Sequence, residues 1–200
     1  RQFGQKEKKT VHHKKFADGG EVIVWETGRA GEEAASYENL FLRKEIAGFR
    51  TNIRREQSCS IKSLTRDYLY KQLLSSGEYT FDHMLVIKDP YGEAPLTALA
   101  LFILEEPACV RVTTKGNLKE TDFVTELPKK KEHRVPILGM YAEKANDIVI
   151  EILDDEGNCV KSHTFTIRTK RLPKSLRNVI TVKKWTDKPA YSNIMINGGV

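Results

Sequence analysis

The spacing of apolar residues changes character near Tyr79. Downstream the period is two, the mark of strands whose side chains alternate between faces. "HMLVIKD" is one such run, ended by Pro90. "PLTALALFIL" is apolar on both faces. Leu99, Leu101 and Ile103 lie on one, and Leu96, Ala98, Ala100, Phe102 and Leu104 on the other. Pattern alone fits a strand or a buried helix. Its neighbours decide for a strand, and Pro95 suits a first strand position. "ACVRVTTKG" alternates, with Val110 and Val112 opposite Arg111. "NDIVIEILDDEGNCVKSHTFTIRT" reads as a hairpin. Ile148, Ile150 and Ile152 share a face, Gly157 in "DDEGN" is free to take positive φ, and His163, Phe165 and Ile167 share a face of the return strand. Short strands separated by regular turn signals predict an antiparallel sandwich.

Upstream, residues 32–76 read as helical. "EEAASYENLFLRKEIAGF" carries Ala35, Leu40, Ile46 and Phe49 at mixed spacing, with acidic residues ahead of basic ones. That order suits the helix dipole. "SIKSLTRDYLYKQLLSSG" is sharper: Ile61, Leu64, Tyr68 and Leu69 fall on one face and Leu73 continues it. Ser60 is the expected N-cap and Gly77 the expected stop. "EVIVWET" has the composition of a short strand, with no obvious partner nearby. The expected organisation is a basic, helical and partly disordered extension over 1–59, a helix over 60–77, a β-sandwich over 78–172, and a linker with further strands over 173–200.

Composition narrows the class without assigning a function. The chain has 200 residues, 40% hydrophobic and 30% charged, enough to bury a real core. No apolar run approaches the roughly 20 residues of a membrane helix, so no membrane span is expected. No signal peptide opens the chain, which begins with Arg1 rather than Met. The net charge is +6, and much of it sits in "RQFGQKEKKTVHHKK", Arg1 to Lys15. A solvated tail is the plain reading; an arm for phosphate or an anionic surface is the other. No RNA-type aromatic motif or zinc-finger spacing accompanies it, and no nucleic-acid partner is expected.

Chemical signals are few. Cys59, Cys109 and Cys159 form no CxxC and read as buried free thiols, with a Cys109–Cys159 bridge as the alternative in an oxidising compartment. Of the five histidines, His12 and His13 read as solvated, His83 and His163 as strand-surface or satisfied groups, and His133 as exposed beside the loop run "KKKEHR". "DDEG" reads as a hairpin tip before a calcium loop. No nucleophile elbow, P-loop or dinucleotide fingerprint occurs. No residue qualifies as catalytic, cofactor-binding or metal-ligating, and no cofactor is expected.

Two stretches taken together are specific. "DPYGEAPLTALALF" with "VPILGMYAEKANDIVIEILDDEGN" resembles the N-terminal domain of bacterial arylsulfate sulfotransferases, which carries an (N/D)PYG-x-(A/S)PLTAL corner, a V-x-V-x-GK strand (here "VRVTTKG"), a (V/I)P-(I/V)-x-G-(L/M)-Y element (here Val135 to Tyr141) and an N-x-(V/I) strand closed by an acidic-glycine turn. "LLSSGEYTFDHMLVI" is similar to the lead-in of some members, with His83 and Met84 where a proline is usual. The resemblance spans about Leu64 to Pro173. It implies an immunoglobulin-like β-sandwich, periplasmic or extracellular or membrane-anchored, with a possible homodimer. It also implies a parent enzyme that transfers a sulfuryl group from a phenolic sulfate donor to a phenol acceptor through a sulfohistidine. In the family that histidine lies in a following β-propeller. "YSNIMINGGV" is expected to be the first propeller strand, with the catalytic part missing, and no histidine here matches a catalytic motif. This reading makes the domain a scaffold or dimer contact. A free-standing extracellular binding module is the alternative.

Overall fold

A computed structural model describes residues 11–45 and 55–172. Seven strands and two helices follow in the order β1 (Val11–Lys15), β2 (Glu21–Trp25), α1 (Thr27–Glu45), α2 (Arg55–Ser75), β3 (His83–Lys88), β4 (Ala98–Thr114), β5 (Phe123–Ile137), β6 (Ala145–Leu153) and β7 (Cys159–Arg168). They form one sheet in the order β1-β2-β3-β4-β6-β7, with β5 on the other side of β4. The protein is mainly β, as expected. The pairing is antiparallel except between β2 and β3, which run parallel.

The long strand β4 makes the sandwich. Its first half pairs with β3 and its second with β6, while β5 follows it along both. Between Ile103 and Ala108 the register with β5 slips, and Glu105, Glu106 and Pro107 are exposed. Bulges of this kind bend a strand and re-aim the sheet. The bend folds the sheet back on itself, so that Phe123 at the start of β5 lies against Gly139, just past its end. Val24, Met84, Val86, Ala100 and Phe102 of one leaf then meet Val110, Val112, Ile148, Ile150, Phe165 and Ile167 of the other in one apolar core. The alternation read along β6 and β7 is the burial of this inner face.

The other face of the first leaf is buried too. Ile23, Trp25, Leu85, Ile87, Leu99 and Leu101 pack beneath Ala30 and Ala34 of α1 and Leu69, Tyr70 and Leu74 of α2. A strand covered on both sides reads as a continuous apolar run, which explains "MLVI" and "ALALFIL". It also supplies the missing partner of "EVIVWET". The chain leaves β2, crosses over through α1 and α2, and returns as β3 alongside it, the connection that parallel strands require. β1 adds an antiparallel edge to β2. Residues 11–25, assigned from sequence to the extension, are therefore part of the sheet.

Several local expectations change. α1 starts at Thr27, inside the Gly-rich stretch, because the Thr27 hydroxyl is held by the carbonyls of Lys88 and Asp89 at 2.8 and 2.9 Å. Among its described side chains Ala30 and Ala34 are buried, and Ala35 is exposed. α2 begins five residues before Ser60, so Ser60 is not its cap. Its buried face is Leu69, Tyr70 and Leu74, and Leu64 and Tyr68 point outward. Gly77 does end the helix, at φ +72. Leu40 lies in α1, and Ile46, Phe49 and the strands expected over 173–200 fall outside the described residues.

Candidate functional site

The corner between β3 and β4 is built around Asp89 and Gly92, both at positive φ (48 and 80). The Asp89 carboxylate accepts the Ala94 N–H at 2.8 Å, and its carbonyl accepts that of Gly92 at 3.0 Å. This turn aims the buried Pro90 carbonyl at α2. There it accepts hydrogen bonds from the Tyr70 hydroxyl and, at 3.3 Å, from the Arg66 guanidinium. The Tyr91 hydroxyl donates to Asp67 at 2.7 Å, and Arg134 of β5 donates to the same carboxylate. Burial, with the Asp67 charge adding to it, holds the Tyr70 hydroxyl well above the ordinary tyrosine range. Burial, then the hydrogen bond to Asp67, raises that of Tyr91. Both stay protonated donors. The corner is a socket for a helix, and its hydroxyls and carboxylates are engaged in holding the turn against α2 and β5.

A second motif clamps the opposite strands. The buried Asn146 side chain accepts the Tyr141 N–H at 2.7 Å and donates to the carbonyls of Tyr141 and Lys144 at 3.1 Å each. It ties the segment after β5 to the start of β6. Gly139 takes φ +77, and a Cβ there would stand 2.7 Å from Phe123 Cβ, so any side chain would be strained and would push Phe123 aside. Pro136 sits near the end of β5, an edge strand, where a missing N–H costs no ladder bond.

The histidines divide clearly. His12 and His13 are exposed. His83 meets Glu21 at 2.8 Å. His133, expected at the surface, is 2% exposed within β5 and stacks on Phe102 at 5.4 Å, its Nε2 2.9 Å from the Lys130 carbonyl. Burial pulls it below the ordinary histidine value. "KKKEHR" is not a loop but the middle of this edge strand, whose lysines discourage pairing with other chains. His163 is buried, stacked between Phe16 at 4.1 Å and Phe81 at 4.6 Å. Its Nε2 lies 2.8 Å from Asp82 Oδ1, and its Nδ1 3.9 Å from Asp18 Oδ2. The Asp82 carboxyl is raised by burial, but hydrogen bonds from Lys161 and His163 outweigh this and hold it below the ordinary range.

Cys109 and Cys159 are free thiols, and Cys159 is exposed rather than buried. Leu153 stands between them, paired with Cys109 on one side and Cys159 on the other. Two strand spacings separate their Cα atoms by about 10 Å, beyond the roughly 4.4–6.8 Å a disulfide spans. Asp154 opens the β6–β7 turn and accepts N–H groups from Asn158 at 2.7 Å and Glu156 at 3.0 Å. Its carboxylate is spent on the turn.

Sequence reading missed Asp18, Asp82, Tyr70, Arg66 and the clamp role of Asn146. Asp18 sits in no motif, and Arg66, Tyr70 and Asp82 lie within the family-like stretch but give no spacing signal, because Pro90 and His163, their partners, are 20 or more residues away.

A bent sheet with a shared central strand, a helix-socket corner and an asparagine clamp defines an immunoglobulin-like β domain. Residues 85–170 match the family model of the arylsulfotransferase Ig-like domain. Over that stretch the chain is similar to the N-terminal Ig-like domain of the arylsulfotransferases, and the described residues before it, 11–45 and 55–84, add two more strands and a helical layer. No curated protein and no solved structure matches the chain.

Proposed function

We propose that this domain is the non-catalytic scaffold of an arylsulfate sulfotransferase. Such an enzyme moves a sulfuryl group from a phenolic sulfate ester to a phenol through a sulfated histidine, in a periplasmic or extracellular setting. One observation carries the scaffold role. The two histidines inside the matched stretch, His133 and His163, are each 3% exposed or less, stacked on aromatic rings and hydrogen-bonded. A sulfated nitrogen must reach an ester and then release its group to a phenol, and neither ring has that access. The domain contributes packing and orientation, and the chemistry falls to another part of the enzyme.

Two measurements test this. The 200-residue chain is incubated with 4-nitrophenyl sulfate and phenol, and nitrophenol release should stay at the uncatalysed rate. In the whole enzyme, H133Q and H163Q should lower the melting temperature and leave kcat unchanged. Turnover by the chain alone, or a collapse of kcat at unchanged stability, would sink the scaffold reading.

A further inference from the structure

Three groups far apart in sequence meet at one edge of the sandwich. Asp18 lies in the β1–β2 turn, Asp82 just before β3, and His163 in β7. One donor atom from each lies within 4.8 Å of the others. The His163 ring is held in plane by its two phenylalanines. Asp18 is aimed as well: its Oδ1 accepts the Gly20 N–H at 3.1 Å, while Oδ2 faces the ring. An ion pair between Asp82 and Lys161 needs no second carboxylate turned toward the same imidazole. The two carboxylates border a pocket of about 510 Å³, also lined by Lys15, Glu21 and His83, and the buried His163 ring lies behind them.

We propose that Asp18, Asp82 and His163 form a binding site for a divalent cation of the zinc class. One imidazole nitrogen and two carboxylates are a donor set that zinc accepts. Neighbouring donors of a tetrahedral zinc site lie about 3.3 Å apart, given bonds of about 2.0–2.2 Å. The 2.8 Å between His163 Nε2 and Asp82 lies just below that spacing, and Asp18 Oδ2, now 3.9 Å from Nδ1 of the same ring, has to turn toward the Nε2 side to complete the set. Ligation through Nε2 places the cation where Nε2 and Asp82 now share a proton. The pocket beside Asp18 and Asp82 has room for a water as the fourth ligand. Two carboxylates and a neutral imidazole balance the charge of the cation. Lys161, whose ammonium lies 2.5 Å from Asp82 Oδ1, competes for the same carboxylate and is displaced on binding. Asp18 and Asp82 stand outside the family-matched stretch and His163 inside it. The cation thus fastens the added N-terminal strands to the Ig-like domain.

The test is a Co²⁺ titration of the EDTA-treated 200-residue chain, read by visible d–d absorption and competed with Zn²⁺. Saturation at one equivalent, displacement by Zn²⁺ and a higher melting temperature with Zn²⁺ are expected. D18N, at an exposed position, should weaken binding by about tenfold or more with an unchanged circular dichroism spectrum. H163Q should abolish it, and K161M should tighten it. H12Q/H13Q, which removes the exposed pair on β1, should leave it intact. Three results overturn the site: no saturable binding, binding indifferent to D18N, or binding lost in H12Q/H13Q.

Discussion

Removing the Tyr70 hydroxyl measures how firmly the helical layer is seated on the Ig-like domain. Tyr70 is fully buried, and phenylalanine keeps its ring in the second core. What Y70F loses is one hydrogen bond to the Pro90 carbonyl, a net cost of about 1 kcal/mol. The carbonyl is not orphaned, because Arg66 still donates to it at 3.3 Å. R66M alone leaves the stronger tyrosine bond in place and should cost about half as much. The double variant strips a buried acceptor of both partners, which adds a desolvation penalty of about 1–3 kcal/mol. It should therefore exceed the sum of the singles by about 1 kcal/mol or more. Urea denaturation followed by circular dichroism gives the three values, with m unchanged across the series. Additivity within about 0.5 kcal/mol, or a neutral Y70F, would show that the corner carbonyl does not seat the helix.

Glycine positions with similar backbones should respond differently. Gly139 and Gly157 both hold positive φ, but a Cβ at Gly157 meets nothing within 4 Å while one at Gly139 strikes Phe123. G157A should cost about 1 kcal/mol from backbone strain. G139A should cost about 2–4 kcal/mol once overpacking is added. F123A should relieve the steric share of G139A in a double-variant melt, and equal costs at the two glycines would refute this. A pH dependence follows from His133. Burial lowers its folded value below the ordinary 6.5, so the unfolded chain binds the extra proton. The contribution of His133 to stability is then complete above about pH 6.5 and is lost as pH falls toward the folded value. Melting temperatures between pH 8 and pH 5 should fall on acidification, less steeply in H133Q. An identical slope in H133Q would exclude His133 as the source.

Legibility in the sequence followed the range of the contacts. β6, β7 and their turn were readable because the alternation of Ile148, Ile150 and Ile152, the Asp154–Gly157 turn and the pairing of the two strands are all local. α2 misled because it has two apolar faces. Of the expected stripe, Leu69 is buried, yet Leu64 and Tyr68 are exposed and tertiary packing buries Tyr70 and Leu74 instead. His133 misled because its lysine-rich neighbours dominate the composition, although alternate residues of a strand face opposite ways and Val135, two positions on, is wholly buried. β2 lacked a visible partner because its neighbour β3 returns only after two helices. The Asp18, Asp82 and His163 cluster left no spacing signal for the same reason: its members come from three separated elements.

The parallel pairing of β2 with β3 also sets a timetable. Translation produces β2 first, about 60 residues before its partner. At about 5–20 residues per second the ribosome needs roughly 3–12 s to supply β3. For that interval the apolar strand Val22–Trp25 has only the basic hairpin strand β1 to pair with, and the helices that will cover it have no sheet to land on. That strand needs shelter until then, and residues 11–25 take their native place only once β3, at the opening of the Ig-like domain, has been made.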